Sequence, residues 1–345
     1  MLKASYRPYT LNFAFVAHTS RETFTEKPTF IVEVYDSNNP QVRGVGEIAV
    51  FPSLQPSFVS MRQFIDLMDA VCADIDTITR TNSWPENSAI RFGFETALKS
   101  LENGGRDILY PSRTLSNIKD GIPINGLVWM NDMMTMKQQV NDKIKAGFRC
   151  IKLKIGALNF NDELNLLREI RRVYSADDLE IRVDANGAFT SANVMMRLNQ
   201  LAEFNLHSIE QPLPRDSDMM ADVCRNSPVP IALDEDMIER WWTDEQMFAW
   251  LSRISPSYIV LKPSLVGGFV MADRWIVTAE SLGIGWWVTS ALESNIGLSA
   301  IAQWLASHPE NLTIHHGLGT GNIYKNNLTG PVRLRGERLF IEHDS

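Results

Sequence analysis

Eight short apolar runs recur along the chain from about residue 122, and every interval between them has room for a helix. Five successive runs end at residues 154, 184, 210, 234 and 262, so their ends recur every 24 to 30 residues. One strand followed by one helix needs about this length, and eight such units in a row close naturally into a barrel. A doubly wound open sheet is the alternative, but the units have no phosphate-binding loop. We therefore predict a (β/α)8-type barrel with strands at residues 125–129, 149–154, 180–184, 207–210, 230–234, 258–262, 285–289 and 312–315.

The first third of the chain has a different pattern. Its β-branched and aromatic runs predict strands, and two stretches with apolar residues at helical spacing predict helices. We expect an α+β domain over residues 1–115, completed by about residues 320–345, and a barrel domain over residues 116–320. The predicted strands are residues 9–17, 29–36 and 48–51, the helices lie near 58–72 and 90–101, and a polar, mobile loop is predicted at 18–27.

Composition narrows the classes of partner. The chain has 41 acidic and 33 basic residues and no basic run, which argues against a nucleic-acid-binding surface. No run approaches the roughly 18 apolar residues of a membrane span. The three cysteines lack the spacing of a disulfide framework or a cysteine metal site. We expect a soluble, cytoplasmic protein with a small-molecule ligand and no nucleic-acid or membrane partner.

Five of the predicted strands end on an ionisable residue, at the end where a barrel carries its active site. In chain order these residues are Lys154, Asp184, Glu210, Asp234 and Lys262. One carboxylate at a strand end is often only a helix cap, but barrel interiors are mainly apolar, so five charged ends together indicate a site.

The three carboxylates fall on adjacent strands, where they repel one another unless a cation lies between them. Ligands that are all oxygen favour Mg²⁺, with Mn²⁺ as a possible substitute, over Zn²⁺. A divalent cation flanked by two lysines suits removal of a proton α to a carboxylate, because it stabilises the negative charge that develops there. The reaction that follows is an elimination, a racemisation or a cycloisomerisation.

As a set, these residues and their neighbours resemble the muconate-lactonizing-enzyme subgroup of the enolase superfamily. The resemblance extends to Gly44-Val-Gly-Glu47, which is similar to the capping domain of that family, and to His316-Gly-Leu-Gly319, which is similar to its last barrel strand. The motifs that carry it are Lys152-Leu-Lys154, Arg182-Val-Asp184-Ala-Asn186, Ile209-Glu210-Gln-Pro212, Leu233-Asp234-Glu235 and Val260-Leu-Lys262-Pro263.

The resemblance implies a role for each of these charged residues. Asp184, Glu210 and Asp234 would bind Mg²⁺. Lys154 and Lys262 would be catalytic and flank the substrate on opposite faces. Lys152 would support Lys154 electrostatically, and Glu235 would lie just behind the metal ligands.

Residues 289–297 carry the feature that separates activities within the subgroup. Their Ser-x-x-Glu-Ser pattern resembles that of o-succinylbenzoate synthases, and the Asp-x-Asp motif of dipeptide epimerases is missing. This resemblance implies Mg²⁺-dependent syn-dehydration of 2-succinyl-6-hydroxy-2,4-cyclohexadiene-1-carboxylate to 2-succinylbenzoate, a step of menaquinone biosynthesis. The alternatives are an N-succinylamino acid racemase, another racemase or cycloisomerase of the superfamily, or an inactive barrel that binds a carboxylate metabolite or serves as a structural partner.

Several further residues have two interpretations each. Ser290 and Ser294 bind a substrate carboxylate or cap a helix that begins near Asn295. Glu293 lies near the metal ligands or in solvent. Arg182 shares a strand face with Asp184 and pairs with a carboxylate, in a structural or a catalytic role. Gly187 stands where some members of the subgroup have arginine, so no substrate contact is assigned to it. The polar loop at 18–27 would close over the substrate.

Overall fold

The computed structural model describes residues 1–18 and 23–342. Its amino-terminal part is an antiparallel sheet of three strands in the order β1-β2-β3, followed by helices. Every second residue over positions 30–34 of β2 lies on the face that packs against the helices, as the two-residue period of a strand predicts. These residues are Phe30, Val32 and Val34. The elements are β1 (Leu2–His18), β2 (Thr23–Asp36), β3 (Asn39–Ala49), α1 (Met61–Ala73), α2 (Ile75–Thr81), α3 (Ser88–Glu102) and α4 (Ser112–Leu115).

The predicted strands and helices of this part are present, with different ends. The third strand runs over Asn39–Ala49 and not over 48–51. Residues 19–22 of the predicted loop lie outside the described residues. The loop prediction is wrong for residues 18 and 23–27, because His18 belongs to β1, residues 23–27 belong to β2, and Lys27 is buried there.

The second part of the chain confirms the predicted barrel class. A parallel sheet of seven strands runs in the order β11-β10-β9-β8-β7-β6-β5, which is the order of the chain. The strands are β4 (Ile122–Pro123), β5 (Gly126–Val128), β6 (Cys150–Lys154), β7 (Glu180–Asp184), β8 (Ser208–Glu210), β9 (Ile231–Leu233), β10 (Tyr258–Leu261), β11 (Gly285–Val288), β12 (Val332–Arg335) and β13 (Arg338–Ile341). The helices are α5 (Met133–Lys145), α6 (Phe160–Val173), α7 (Val194–Leu201), α8 (Met220–Asn226), α9 (Asp244–Ile254), α10 (Pro263–Val266), α11 (Gly268–Ser281) and α12 (Asn295–Leu305).

The barrel closes through two residues in place of an eighth strand. His316 bridges to Ile124 beside β5, and Gly317 bridges to Thr289 beside β11, both in parallel orientation. The prediction of a strand at 312–315 is therefore wrong in position. A short 3-10 helix, Pro309–Asn311, occupies the chain just before it, and the extended bridging residues come later.

The carboxyl-terminal residues contact two earlier parts of the chain, β4 and β1. Strands β12 and β13 form a hairpin that pairs with β4, directly before the first barrel strand. Upstream of this hairpin, the amide of Lys325 donates to the carbonyl of Asn12 on β1 at 2.8 Å. The division into residues 1–115 and 116–320 stays a prediction. Within the described residues, no helix has both the length and the apolar character needed to cross a membrane.

Candidate active site

Strand register brings the charged strand ends together. Lys154 is the register partner of Asp184 on β7, and Asp184 is the register partner of Glu210 on β8. Asp234 and Lys262 follow directly after β9 and β10. The three carboxylates are 1% exposed or less. The sequence prediction that these five side chains lie at one end of adjacent strands is thus matched by their positions.

Three lysines contact the three carboxylates. The ammonium of Lys152 donates to both oxygens of Glu210 at 2.6 Å and lies 2.9 Å from Asp184 Oδ2. Lys154 Nζ donates to Asp184 Oδ2 at 2.6 Å. Lys262 Nζ donates to Asp234 Oδ2. Each buried negative charge therefore has a positive partner, which is the condition under which buried charges are tolerated.

The charges in this cluster shift one another's pKa values. Burial disfavours ionised Asp184, but Lys152 and Lys154 outweigh burial and hold the pKa of Asp184 well below its usual range. Burial and the neighbouring charge of Asp184 raise the pKa of Glu210 to about 8. Burial disfavours the ammonium of Lys152, but Asp184 and Glu210 outweigh it and raise the pKa of Lys152. The raised pKa of Glu210 shows that its ionisation is disfavoured by burial and by the neighbouring carboxylates, and an added cation would reverse this effect.

The donor set fits a hard divalent cation. Asp184, Glu210 and Asp234 offer only carboxylate oxygens, and no histidine or cysteine among the described residues belongs to this cluster. Oxygen-only sets suit Mg²⁺ or Mn²⁺. The raised pKa of Glu210 fits the same conclusion, because a bound cation would favour its ionised form.

A pocket that opens to solvent lies directly against the lysines. It is formed by the first part of the chain, by the strand ends and by the loops that follow β11 and the closing bridges. The lining residues are Phe51, Ser53, Leu54, Asn125, Leu127, Trp129, Lys152, Lys154, Asn186, Glu235, Lys262, Thr289, Ser290, Ala291, Leu292, Gly317, Gly319 and Thr320. This wall is mainly apolar, with its charges gathered at the barrel end, as expected for a small-molecule site.

Asn186 and Thr320 line the pocket, although the sequence predicted no role for either. Asn186 Oδ1 accepts from Lys154 Nζ at 2.8 Å, and Asn186 Nδ2 donates to Glu235 Oε1 at 3.1 Å. Thr320 forms a hydroxyl–hydroxyl hydrogen bond of 2.7 Å with Ser290. For Asn186 a signal existed, because it follows Asp184 by two residues in a motif already recognised; Thr320 has no such signal.

The serines and Glu293 separate into different roles. Ser290 lines the pocket. Ser294 does not, because its hydroxyl accepts from the amide of Ile296 and caps α12, as the second interpretation predicted. The solvent interpretation of Glu293 is wrong, because this side chain is fully buried and accepts from Ala291 N at 2.8 Å and from the Ser264 hydroxyl.

Arg182 lies inside the barrel, away from the pocket lining. Its Nε donates to Glu180 Oε1 at 2.7 Å, and its guanidinium lies 4.3 Å from the centre of the Trp287 ring. The ion pair is therefore formed with Glu180 and not with Asp184. Gly187 has a φ of +77°, and a Cβ there would lie 3.0 Å from Pro214 Cα, so the backbone disfavours an arginine at this position.

A buried glutamate holds the turn that follows Lys154. Glu163, at the start of α6, accepts from the amide of Gly156 at 2.8 Å and from that of Leu158 at 3.2 Å. Burial raises the pKa of Glu163 from 4.5 to about 7, against the opposing effect of these two hydrogen bonds.

Stability is expected to depend on the ionisation of Glu163. The folded carboxyl binds its proton more tightly than the unfolded one, so its contribution is complete below the unfolded pKa of 4.5 and is lost as pH rises through about 7. Between about pH 5 and pH 8, the wild type should lose about 2 kcal/mol of unfolding free energy relative to Glu163→Gln. Urea unfolding at several pH values measures this difference. Glu169→Gln, on the exposed face of the same helix, is the control, and an equal pH slope in Glu163→Gln and the wild type would contradict the prediction.

Comparison with known proteins agrees with the site. Residues 135–342 match the family described as Enolase C-terminal domain-like. The o-succinylbenzoate synthase of Desulfotalea psychrophila is 42% identical to this chain, and the match covers 99% of both sequences. The N-succinylamino acid racemase of an Amycolatopsis species is 29% identical over 66% of this chain and 60% of its own sequence.

Two solved structures are also similar to this chain. The crystal structure of MenC from D. psychrophila LSv54 has a TM-score of 0.81 at 38% identity and covers 99% of both chains. A dipeptide epimerase from Enterococcus faecalis V583, solved with Mg and a dipeptide, has a TM-score of 0.84 at 18% identity, covers 100% of this chain and 98% of its own, and shows the fold alone. With a family match over more than half of its length and a full-length relative at 42% identity, the chain belongs to the enolase superfamily.

Proposed function

We propose that this chain is an o-succinylbenzoate synthase, which removes water from 2-succinyl-6-hydroxy-2,4-cyclohexadiene-1-carboxylate to give 2-succinylbenzoate. The observation that carries the proposal is the 42% identity over 99% of both sequences to a synthase of that name. The charged strand ends alone do not choose this reaction, because proton abstraction α to a carboxylate is common to the superfamily.

The proposed roles of the charged residues follow from their positions. Asp184, Glu210 and Asp234 would hold Mg²⁺, with Mn²⁺ as a substitute. When bound, the cation would neutralise the negative charge that develops on the substrate carboxylate. Lys154 Nζ would take the α-proton and return a proton to the departing hydroxyl on the same face, so that the carbon–oxygen bond breaks and water leaves.

The other lysines would hold charge. Lys262 would remain an ammonium and stabilise the intermediate from the opposite face, in agreement with the raised pKa that Asp234 and Glu210 give it against the effect of burial. Lys152, which is 7% exposed and bound to Glu210, would support the cluster electrostatically. Asn186 would orient Lys154, because its side chain joins the lysine to Glu235.

The substrate would fill the rest of the pocket with its ring and succinyl chain. Phe51, Trp129 and Leu292 offer apolar surface for the ring. Ser290 and Thr320, already joined by a hydrogen bond, offer hydroxyls to a polar group of the substrate. The pocket lining therefore has polar groups in two places, which suits a molecule with two carboxylates.

We also propose that the enzyme acts in menaquinone biosynthesis in the cytoplasm. All three cysteines are free, which agrees with a reducing compartment. Its partners would be small carboxylates, with neither nucleic acid nor membrane involved.

An ultraviolet assay of the dehydration tests the function. The product is aromatic and the substrate is not, so turnover changes the absorption spectrum. We expect rapid turnover with Mg²⁺ and none after treatment with EDTA. An enzyme that binds Mg²⁺ but does not turn over this substrate would contradict the synthase assignment, and racemisation of N-succinylamino acids would then be the next reaction to measure by deuterium exchange at the α-carbon.

A further inference from the structure

One residue of the pocket wall is held in a conformation that side chains rarely adopt. Leu292, in the loop after β11, has a φ of +61°. Its carbonyl oxygen accepts two hydrogen bonds, from Lys27 Nζ at 2.9 Å and from the Tyr324 hydroxyl at 2.6 Å. A branched residue in the left-handed region is strained, and it persists only where its surroundings fix it.

Lys27 is an unusual donor for this carbonyl. It is 2% exposed although it follows a polar stretch of the chain, and burial lowers its pKa, with Glu47 and Glu293 opposing that effect. Burying an ammonium costs free energy unless its hydrogen bonds and nearby charges compensate. Its ammonium donates to the Leu292 carbonyl oxygen and lies 6.0 Å from the centre of the ring of Phe51, another residue of the pocket lining.

The first sheet also holds the other end of the same loop. Glu47 on β3 accepts from the amides of Ser294 at 2.9 Å and Gly297 at 3.0 Å, and from the Ser294 hydroxyl. The wall formed by residues 289–292 is therefore fixed by groups from outside the barrel. Leu292 packs in one apolar cluster with Phe13, Phe51 and Tyr324, so its position is coupled to β1 and to the carboxyl-terminal segment.

We propose that Lys27 and Tyr324 are positioning residues for substrate recognition, which act by fixing the Leu292 carbonyl and so placing the wall formed by Ala291 and Leu292 against the substrate. The inference rests on the proposed function for the identity of the substrate. Neither side chain lines the pocket, so both act through Leu292 and not by contact.

The test uses Lys27→Met, which keeps the length of the side chain and removes its donor, and Tyr324→Phe, which removes only a hydroxyl. We expect KM for the dehydration substrate to rise about tenfold in Lys27→Met, the change equivalent to losing one hydrogen bond from a charged donor. We expect kcat to stay within about threefold, because the lysines and carboxylates of the barrel are not disturbed. Tyr324→Phe should raise KM about threefold.

The two donors share one acceptor, so their effects on KM should not multiply in the double variant. Lys143→Met is the control for loss of a lysine, because Lys143 is half-buried on α5, where its ammonium is 5.0 Å from the centre of the Phe148 ring. Equal KM values in Lys27→Met and the wild type, a loss confined to kcat, or the same change in the Lys143→Met control would overturn the proposal. Should Lys27→Met fail to fold, the KM of Tyr324→Phe still tests the proposal, and a KM equal to that of the wild type would overturn it.

Amide hydrogen exchange tests the positioning role of Lys27 without depending on which substrate the enzyme uses. Peptides that contain residues 289–297 should exchange faster in Lys27→Met than in the wild type, while peptides from β6 and β7 should not change. Faster exchange in a protein without dehydratase activity would refute the proposed function and leave the positioning role standing. Unchanged exchange together with an unchanged KM in an active enzyme would refute the positioning role alone.

Discussion

Replacing Lys154 with alanine should lower kcat for the dehydration by at least about a thousandfold, because one side chain both takes and returns the proton. The structure places its ammonium in the pocket, 2.6 Å from Asp184 Oδ2 and 2.8 Å from Asn186 Oδ1. These contacts fix the lysine at the end of β6. The neighbouring Lys152 cannot replace it, because both oxygens of Glu210 already bind that ammonium at 2.6 Å.

The metal site of Lys154→Ala should remain intact, so that the loss of activity can be assigned to the lysine. Removing Lys154 takes a positive charge from Asp184, so Mg²⁺ affinity measured by calorimetry should be retained or increased. Lys143→Ala is a control for loss of a partly buried lysine that does not line the pocket. Activity of Lys154→Ala within about tenfold of the wild type would show that another group transfers the proton.

Removing the metal should abolish activity, and Glu210→Gln should weaken Mg²⁺ binding by about a hundredfold. Glu210 lies between Asp184 and Asp234 in strand order, so its loss opens the middle of the carboxylate set. We expect the protein without metal to stay folded, because three lysines contact the same carboxylates. Saturating Mg²⁺ should still raise the unfolding free energy, by about 2.7 kcal/mol at a hundred times Kd.

Calorimetric titration with Mg²⁺ and thermal unfolding with and without EDTA measure these effects. Glu180→Gln is the matched control, since Glu180 begins the same strand that Asp184 ends and pairs with Arg182. Its Mg²⁺ affinity should equal that of the wild type. Full activity in EDTA, or equal Mg²⁺ affinity in Glu210→Gln and the wild type, would contradict the assignment of the carboxylates.

The charged strand ends were predictable because two simple regularities fix them. The period of the strand–helix units places the ends of adjacent strands at one end of the barrel, and five charged ends together are unusual in a barrel whose interior is mainly apolar. Lys154, Asp184 and Glu210 accordingly align in register. Arg182 shows what strand alternation cannot predict. It shares a strand face with Asp184 but lies two residues earlier, and it pairs with Glu180 in place of the carboxylates of the site.

The residues that were not predictable depend on contacts between distant parts of the chain. Lys27 stands in a polar stretch that suggests a loop, and nothing local indicates that its ammonium is buried against Leu292. Ser294 had two equally good local interpretations, and the cap was decided by the start of α12 and by Glu47. Thr320 is visible as a site residue only after the barrel has closed.

The contacts between the first strand and the last residues bear on how the protein is made. The Tyr9 hydroxyl donates to the carbonyl of Asn326, 317 positions later, and Tyr324 completes the support of Leu292. A chain emerging from the ribosome therefore presents its first sheet long before residues 323–326, which contact β1, have been synthesised. The support of the pocket wall can be completed only after residue 324 has left the ribosome, so a translation product that ends before Tyr324 lacks it.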